Sequence, residues 1–318
     1  MAVSQKQIAE KLGVSIALVS RVLSGKAAEI GITADTIERV IRTAGEMGYV
    51  PSAAALTLKG KPTRTIGVAV YDFNDPFFGA LIKQIQIQAH EHNYSLILAG
   101  FLNRNPDEQD LQALHKHALD GLIVIGTDLN ATWLSHFQGL PVARIGHGSP
   151  DESSVRVTVD EDLSARLIID HLVASGRKHL TYLYANLPAH QIRRQAFEKA
   201  AANCGIELHA ELFSGRESFE AGLHLAPLHH GADALICATD QVAMGALHAL
   251  NDAGIAVPDQ IAVTGFDDIP AAAQFIPPLT TICQPIQEMV RLAFRATINA
   301  EDPGEITFPG KLIPRRTA

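Results

Sequence analysis

Ser15, Ile16, Ala17, Ser20 and Arg21 fall in one short stretch, GVSIALVSR. Their types suit contact with the edges of base pairs. Arginine can pair bidentately with guanine, and small apolar side chains can touch the methyl of thymine. The plainer reading is the exposed face of an ordinary three-helix bundle. The spacing Ala9-x3-Gly13-x5-Val19 favours the first. A small residue lets two helices cross closely, a glycine turns the chain, and an apolar residue anchors the second helix, which is the helix-turn-helix pattern. In that pattern the start of the second helix is the part that reaches bases.

Other chemistries are weaker. The sequence has no G-x-x-x-x-G-K-[ST] loop, no G-x-G-x-x-G after a strand, and no G-x-S-x-G elbow. Fourteen histidines invite a metal reading. His115 and His117 are two apart in a helical stretch and so do not share a face, and His229 and His230 lack a cysteine or carboxylate at ligand spacing. A solvated surface accounts for them, so no metal and no cofactor is expected. The strand-end carboxylates of the body lack a nucleophile, base and orienter set, and an enzyme is not expected.

Three short helical repeats carry the first pattern. Ser4-Gln5-Lys6-Gln7 reads as a capping box. Ile8, Ala9 and Leu12 then recur at helical spacing before Gly13. Ser15 can cap a second helix with Leu18, Val19, Val22 and Leu23 inward, ended by Gly25. A third starts near Thr33 and carries Ile37, Val40, Ile41, Ala44 and Met47. The formal net charge of the chain is −8, but residues 1–64 hold nine Lys or Arg against five Asp or Glu, a balance of +4, leaving −12 on the rest. A basic headpiece on an acidic body is expected when one module meets phosphate.

PSAAALTLKGK, residues 51–61, proposes a helix of barely two turns between Pro51 and Gly60, whereas isolated helices shorter than ~12–15 residues are marginal in water. It needs something to pack against. From residue 65 short β-branched runs (TIGVAVY, SLILAG, GLIVIG, PVARIG) alternate with helical stretches near 77–91, 107–118 and 130–137. A second series (HLTYLYA, ALICAT, IAVTGF) alternates with helices near 162–175, 191–203, 217–228 and 240–253. Such alternation means parallel sheets covered on both faces. The fold class is therefore an all-α helix-turn-helix headpiece followed by an α/β, two-lobe core with parallel sheets. Ligands of such sheets sit beyond the carboxyl ends of the strands, so the two lobes should share one cleft. The expected crossings lie near 156–162 and 281–290. No apolar run approaches the ~18 residues of a membrane span. The start, MAVSQKQIAEKLG, does not read as a secretory signal, and Cys204, Cys237 and Cys283 are too sparse for a disulfide framework. A cytoplasmic protein is expected.

GVSIALVSRVLSGK and YVPSAAALTLKGK, followed by TIGVAVYDFNDPFFGAL, DGLIVIG, ATDQVAMGAL, VTGFDD, PPLTTICQP and LIPRR, resemble the LacI/GalR family of bacterial transcriptional regulators in order and spacing. The core then resembles the periplasmic-binding-protein fold. The resemblance implies a homodimer on a near-palindromic, double-stranded operator. It also implies that 51–61 becomes helical on DNA, where Ala54, Leu58 and Lys59 face the minor groove and Leu58 wedges into a base step. It implies an effector, a sugar or sugar phosphate, bound between the lobes by Asp72, Phe78, Arg193, Asp240, Asp267 and Gln284. Phe77 is read as core, and Asp240 has the alternative of capping the following helix.

The sequence departs from the family at Ala53, at the longer SGKAAEIGIT connection, at Thr239 where relatives carry asparagine, and at Ala196 in place of a frequent glycine. The expected division is a headpiece over 1–50, a hinge over 51–64, and a core over 65–318. Within the core, lobe 1 is about 65–158 plus 286–318 and lobe 2 about 159–285. The expected function is a DNA-binding regulator, most simply a repressor, controlled allosterically by the ligand. The alternatives are a sugar receptor without a regulatory role and a regulator of a non-sugar ligand such as a nucleobase.

Overall fold

A computed structural model describes residues 3–27, 31–50, 61–102, 104–127, 130–148, 154–301 and 304–318. The described chain divides into two units, Met1–Thr63 and Arg64–Ala318.

The first unit is a three-helix headpiece: α1 (Gln5–Leu12), α2 (Ile16–Leu23) and α3 (Ala34–Glu46). The Ser4 capping box forms. The Gln7 N–H donates to Ser4 Oγ at 3.3 Å, and the Ser4 N–H donates to Gln7 Oε1 at 2.9 Å. Gly13 sits at φ 66°, where a side chain would be strained, and closes α1 with bonds to Ala9 and Glu10 carbonyls. Ser15 then caps α2 by accepting from Leu18 N–H at 3.1 Å. Ile8, Ala9, Val19, Val22, Val40 and Ala44 make a small core. Ile41 is 55% exposed, because Val40 and Ala44 already occupy the face of α3 that meets the other two helices.

The second unit has two sheets. Strands β1 (Thr65–Val70), β2 (Ser95–Gly100), β3 (Gly121–Ile125), β4 (Val142–Ile145), β5 (Val155–Val159) and β11 (Gly304–Phe308) form the first, in the order β11-β5-β4-β3-β1-β2, parallel throughout. Its helices are α4 (Pro76–Glu91), α5 (Glu108–His115) and α10 (Ile286–Asn299), with one 3₁₀ segment, Thr132–Phe137, where a helix was expected. Strands β6 (Leu180–Ala185), β7 (Leu208–Phe213), β8 (Ala234–Cys237) and β9 (Ala262–Thr264) form the second, in the order β7-β6-β8-β9, again parallel. It is covered by α6 (Glu161–Ala174), α7 (Pro188–Asn203), α8 (Ser218–Leu225) and α9 (Asp240–Asp252).

The chain passes between the sheets three times, not two. After β5 it enters α6, and after β10 (Thr281–Cys283) it enters α10 and returns to the first sheet. After β11 it crosses again into β12 (Lys311–Ile313), which pairs antiparallel with β10. The expectation that all of 286–318 belongs to the first lobe is thereby corrected for 311–318. Leu312 and Ala318 pack on the core of the second lobe, and Val263 N–H donates to Thr317 O at 2.8 Å. Isolated parallel bridges, Thr264 with Thr280 and Asp267 with Cys283, tie the β10–β12 pair to the edge of the second sheet, which is why this end of the segment follows the second lobe.

Candidate functional site

The exposed start of α2 is the first candidate. Ser15, Ile16, Ala17 and Arg21 are exposed and Ser20 is half-buried, while Val19 and Val22 on the opposite side are buried. Ile16 is 50% exposed, a large apolar side chain on a surface whose neighbours are hydroxyls and a guanidinium. Ala54, Leu58 and Lys59 lie outside the described residues.

The second candidate is a cavity of about 560 Å³ between the two sheets of the second unit, within the range of pockets that enclose small molecules. Both lobes point the carboxyl ends of their strands into it. From the first lobe come Tyr71, Asp72, Asp75, Phe77 and Phe78, in and after the turn from β1 into α4. Pro76 pre-sets the first turn of α4, and Asp75 caps it by accepting from Phe77 N–H at 2.8 Å. Phe77, expected in the core, does two jobs. It lines the cavity and packs against the cores of both lobes.

From the second lobe come Glu161, His190, Arg193, Asp267 and Gln284. Arg193, 5% exposed, projects from α7 and lies over the Phe266 ring, its Cζ 3.4 Å from the centroid. It is paired bidentately with Glu161, Nε to Oε2 at 2.9 Å and Nη2 to Oε1 at 3.0 Å, and Nη1 donates to the Ala238 carbonyl. His147, which follows β4 of the first lobe, approaches Glu161 Oε1 at 3.6 Å, so Glu161 joins the two lobes at the back of the cavity. Gln284 Nε2 donates to Asp267 Oδ1 at 2.7 Å.

The titration of these groups follows from burial and pairing. Burial alone would raise Glu161, but the Arg193 charge and its hydrogen bonds to His147 and Arg193 hold it below the usual carboxylate range. Burial raises Asp267 despite the opposing Arg193 charge. Burial also pushes Asp75 up to about 6, with the Asp72 charge adding to the rise. His190 is pushed down to about 3 by burial and then by the Arg193 charge. It is therefore a neutral acceptor at pH 7, and its Nδ1 receives Ala185 N–H at 3.1 Å.

Of the six residues expected to bind an effector, Asp72, Phe78, Arg193, Asp267 and Gln284 line one cavity. Asp240 does not, and that expectation is corrected. It is fully buried, behind the Asp267 loop, where Oδ2 accepts from Ile269 N–H at 2.8 Å and Oδ1 from Thr281 Oγ1 at 2.5 Å. It does not cap α9 either, because Thr239 accepts from Val242 N–H at 3.3 Å. Asp75, Glu161, His147 and His190 were missed. The N-cap position of Asp75, just before Pro76, was a signal available in the sequence. Glu161 gave none, since its partner is 32 residues away.

Residues 169–318 match the model of the periplasmic binding protein-like domain. The chain is 32% identical over 310 residues to the HTH-type transcriptional regulator GalR of Escherichia coli K12, covering 93% of this chain and 89% of that one. It is 29% identical over 325 residues to the HTH-type transcriptional regulator RegA of Clostridium saccharobutylicum, covering 98% and 97%. A crystal structure of the Lac repressor bound to ONPG in its repressed state superposes with a TM-score of 0.83 at 25% identity, covering 100% of each chain. These relatives are regulators of transcription, not enzymes. With its helix-turn-helix headpiece and its two-lobed core enclosing a cavity, this chain belongs to the LacI/GalR family of helix-turn-helix transcriptional regulators.

Proposed function

We propose that the chain is a cytoplasmic, homodimeric repressor whose effector is a neutral, polyhydroxylated molecule of sugar type rather than a sugar phosphate. The observation that carries this is the charge of the cavity. Asp72, Asp75 and Asp267 face it, while Arg193, the buried arginine among its described lining residues, is already neutralised by Glu161, and the other lining arginine, Arg216, is exposed. A phosphate dianion placed there meets carboxylates and no unpaired buried cation. Hydroxyls donate to those carboxylates, accept from the remaining Arg193 protons, and lay the apolar face of a ring on Phe78. That combination is how a small polar molecule is oriented in a mostly apolar pocket.

The operator side rests on the exposed face of α2 and on the charge of +4 over residues 1–64. Ser15, Ile16, Ala17, Ser20 and Arg21 read the major groove, and Ala54, Leu58 and Lys59 enter the minor groove of a near-palindromic duplex. Ligand favours one angle between the lobes and so changes the pairing of the two hinge segments of the dimer. A coupling of about 1–3 kcal/mol is enough for a 5–150-fold change in operator affinity.

Thermal-shift titration of the full chain tests the ligand class. D-ribose, D-galactose and cellobiose are compared with ribose 5-phosphate and galactose 1-phosphate. A bound molecule stabilises by mass action, about 2.7 kcal/mol at a hundredfold excess over Kd. Stabilisation by a neutral sugar and none by its phosphate is expected; the reverse order contradicts the reading.

A further inference from the structure

Asp267 and Asp268 are neighbouring residues with φ of 117° and 54°. Side chains that carry a Cβ rarely enter this half of backbone space. The two residues divide their work. Asp267 lines the cavity, and Asp268 does not. Asp268 turns outward and receives Arg315, Nη2 to Oδ1 at 2.6 Å, with both side chains less than a fifth exposed. The same guanidinium donates through Nη1 to the Leu279 carbonyl at 2.8 Å, and the Arg315 N–H donates to Thr280 Oγ1 at 2.9 Å.

The residues that follow are bonded down the same edge. Arg316 N–H donates to Pro278 O at 3.0 Å, Val263 N–H to Thr317 O at 2.8 Å, and Thr280 N–H to Thr317 Oγ1 at 2.8 Å. Asp240 grips the loop from behind through Ile269 N–H. Arg315 itself touches no part of the cavity.

We propose that residues 315–317 form a strap across the second lobe, and that Arg315 is a positioning residue for the effector, acting through Asp268 to hold the Asp267 carboxylate at the cavity wall. The proposal rests on the reading of Asp267 as an effector contact. Two successive positive φ angles have lower-lying alternatives at negative φ, and a turn of Asp267 into either would carry its carboxylate off Gln284 and out of the cavity. A charge-assisted bond to Asp268 opposes that turn at the next residue along. Arginine suits the task because its planar fork reaches two acceptors on two different segments, Asp268 and the carbonyl of Leu279. A lysine is a single point of charge and reaches one.

Hydrogen exchange of the full chain, read by mass spectrometry, tests the strap without any ligand. In Arg315→Met, the amides of 267–269 should exchange at least tenfold faster, with β6 and β8 unchanged. Asp268→Asn, whose side chain still tolerates positive φ, should give the same local change, and the double variant no more than either alone. Arg315→Lys should recover part of the protection. Exchange within twofold of wild type in Arg315→Met overturns the proposal. So does a loss of protection spread through the second sheet, or additive effects in the double variant, since each describes a structural residue only.

Thermal shift with D-ribose, D-galactose and cellobiose supplies the functional readout. The shift seen with wild type should vanish in both Asp267→Asn and Arg315→Met. A shift that survives in Arg315→Met but not in Asp267→Asn overturns the strap alone. A shift that survives in Asp267→Asn overturns the reading of Asp267, and with it the role of the strap.

Discussion

Arg193 and Glu161 illustrate how one pair can serve both stability and recognition. Their bidentate contact is buried, with side-chain exposures of 6% and 9%, and removal of one partner strands the other charge in a low-dielectric site. Breaking such a pair costs about 3–5 kcal/mol, and a unit of this size loses about 2–4 °C of Tm per kcal/mol. Arg193→Ala should therefore lower Tm by on the order of 10 °C as well as abolish the ligand response. Calorimetry of Arg193→Ala with and without Glu161→Gln checks this, because neutralising the stranded carboxylate should restore a good part of the loss. Asp75 makes the opposite case. Its folded pKa of about 6 exceeds the ordinary 3.8, through burial first and the Asp72 charge as a smaller contributor. The folded state thus holds this proton more tightly than the unfolded state does. Stability from this group is unaffected below about pH 3.8, falls as pH rises toward 6, and is flat above. Asp75→Asn keeps a good helix cap and removes the charge. Its stability relative to wild type, read by thermal unfolding, should climb between pH 4 and pH 6.5 and then level, by an amount on the order of 1–2 kcal/mol after allowance for partial exposure. A difference that does not change with pH would show that the ionised Asp75 carries no penalty. The family resemblance assigned Asp72, Arg193, Asp267 and Gln284 to an effector, and the structure brings them to one cavity, Asp72 from the first lobe and the other three from the second. The sequence could not show that Asp240 turns inward, because strand-end position says where a backbone stops and not which way the side chain of the next helix's first residue points.

At the scale of elements, the legible parts were those whose pattern is local. The Ser4 capping box, the three headpiece helices and continuous apolar strands such as GLIVI formed where the spacing put them. Of the missed strands, β10 and β12 are short, β7 and β11 sit at sheet edges, and β5 (VRVTV) was read as part of the crossing between the lobes. β11 is GEITF with four of five residues exposed, and β7 has no buried residue, so neither carries the apolar run by which a strand is recognised. The crossing of α8 and α9 was also invisible, since it depends on two glycines far apart in sequence. A Cβ on Gly222 would lie 1.9 Å from Val242 O, and one on Gly245 would lie 2.0 Å from Phe219 O. The helices approach so closely that backbone faces backbone, and neither side can yield as a flexible side chain would. Gly222→Ala should destabilise the second unit by about 1–3 kcal/mol or more. Because Phe219 and Ser218 at the start of α8 line the cavity, the same substitution should also weaken sugar binding. Denaturant unfolding and sugar titration of the one variant measure both. An unchanged midpoint would mean that the helices can separate without cost.

At the scale of the molecule, charge and topology divide the labour. The positive balance lies in the headpiece and the negative balance in the core, so phosphate attraction is confined to the module that reads DNA. Three passages of the chain between the lobes, at β5 to α6, β10 to α10 and β11 to β12, join the sheets at one side and leave the cavity between their strand ends. On the proposed function, occupancy of the cavity sets affinity for a two-fold symmetric duplex. The most direct test is selection of duplexes from a random pool by the full chain, followed by anisotropy titration of the winning duplex at fixed salt, with and without saturating sugar from the panel above. A near-palindromic winner whose affinity changes about 5–150-fold with sugar, and does not change in Asp267→Asn, is the predicted result. Recovery of no symmetric sequence, or an affinity within twofold at saturating sugar, would contradict it.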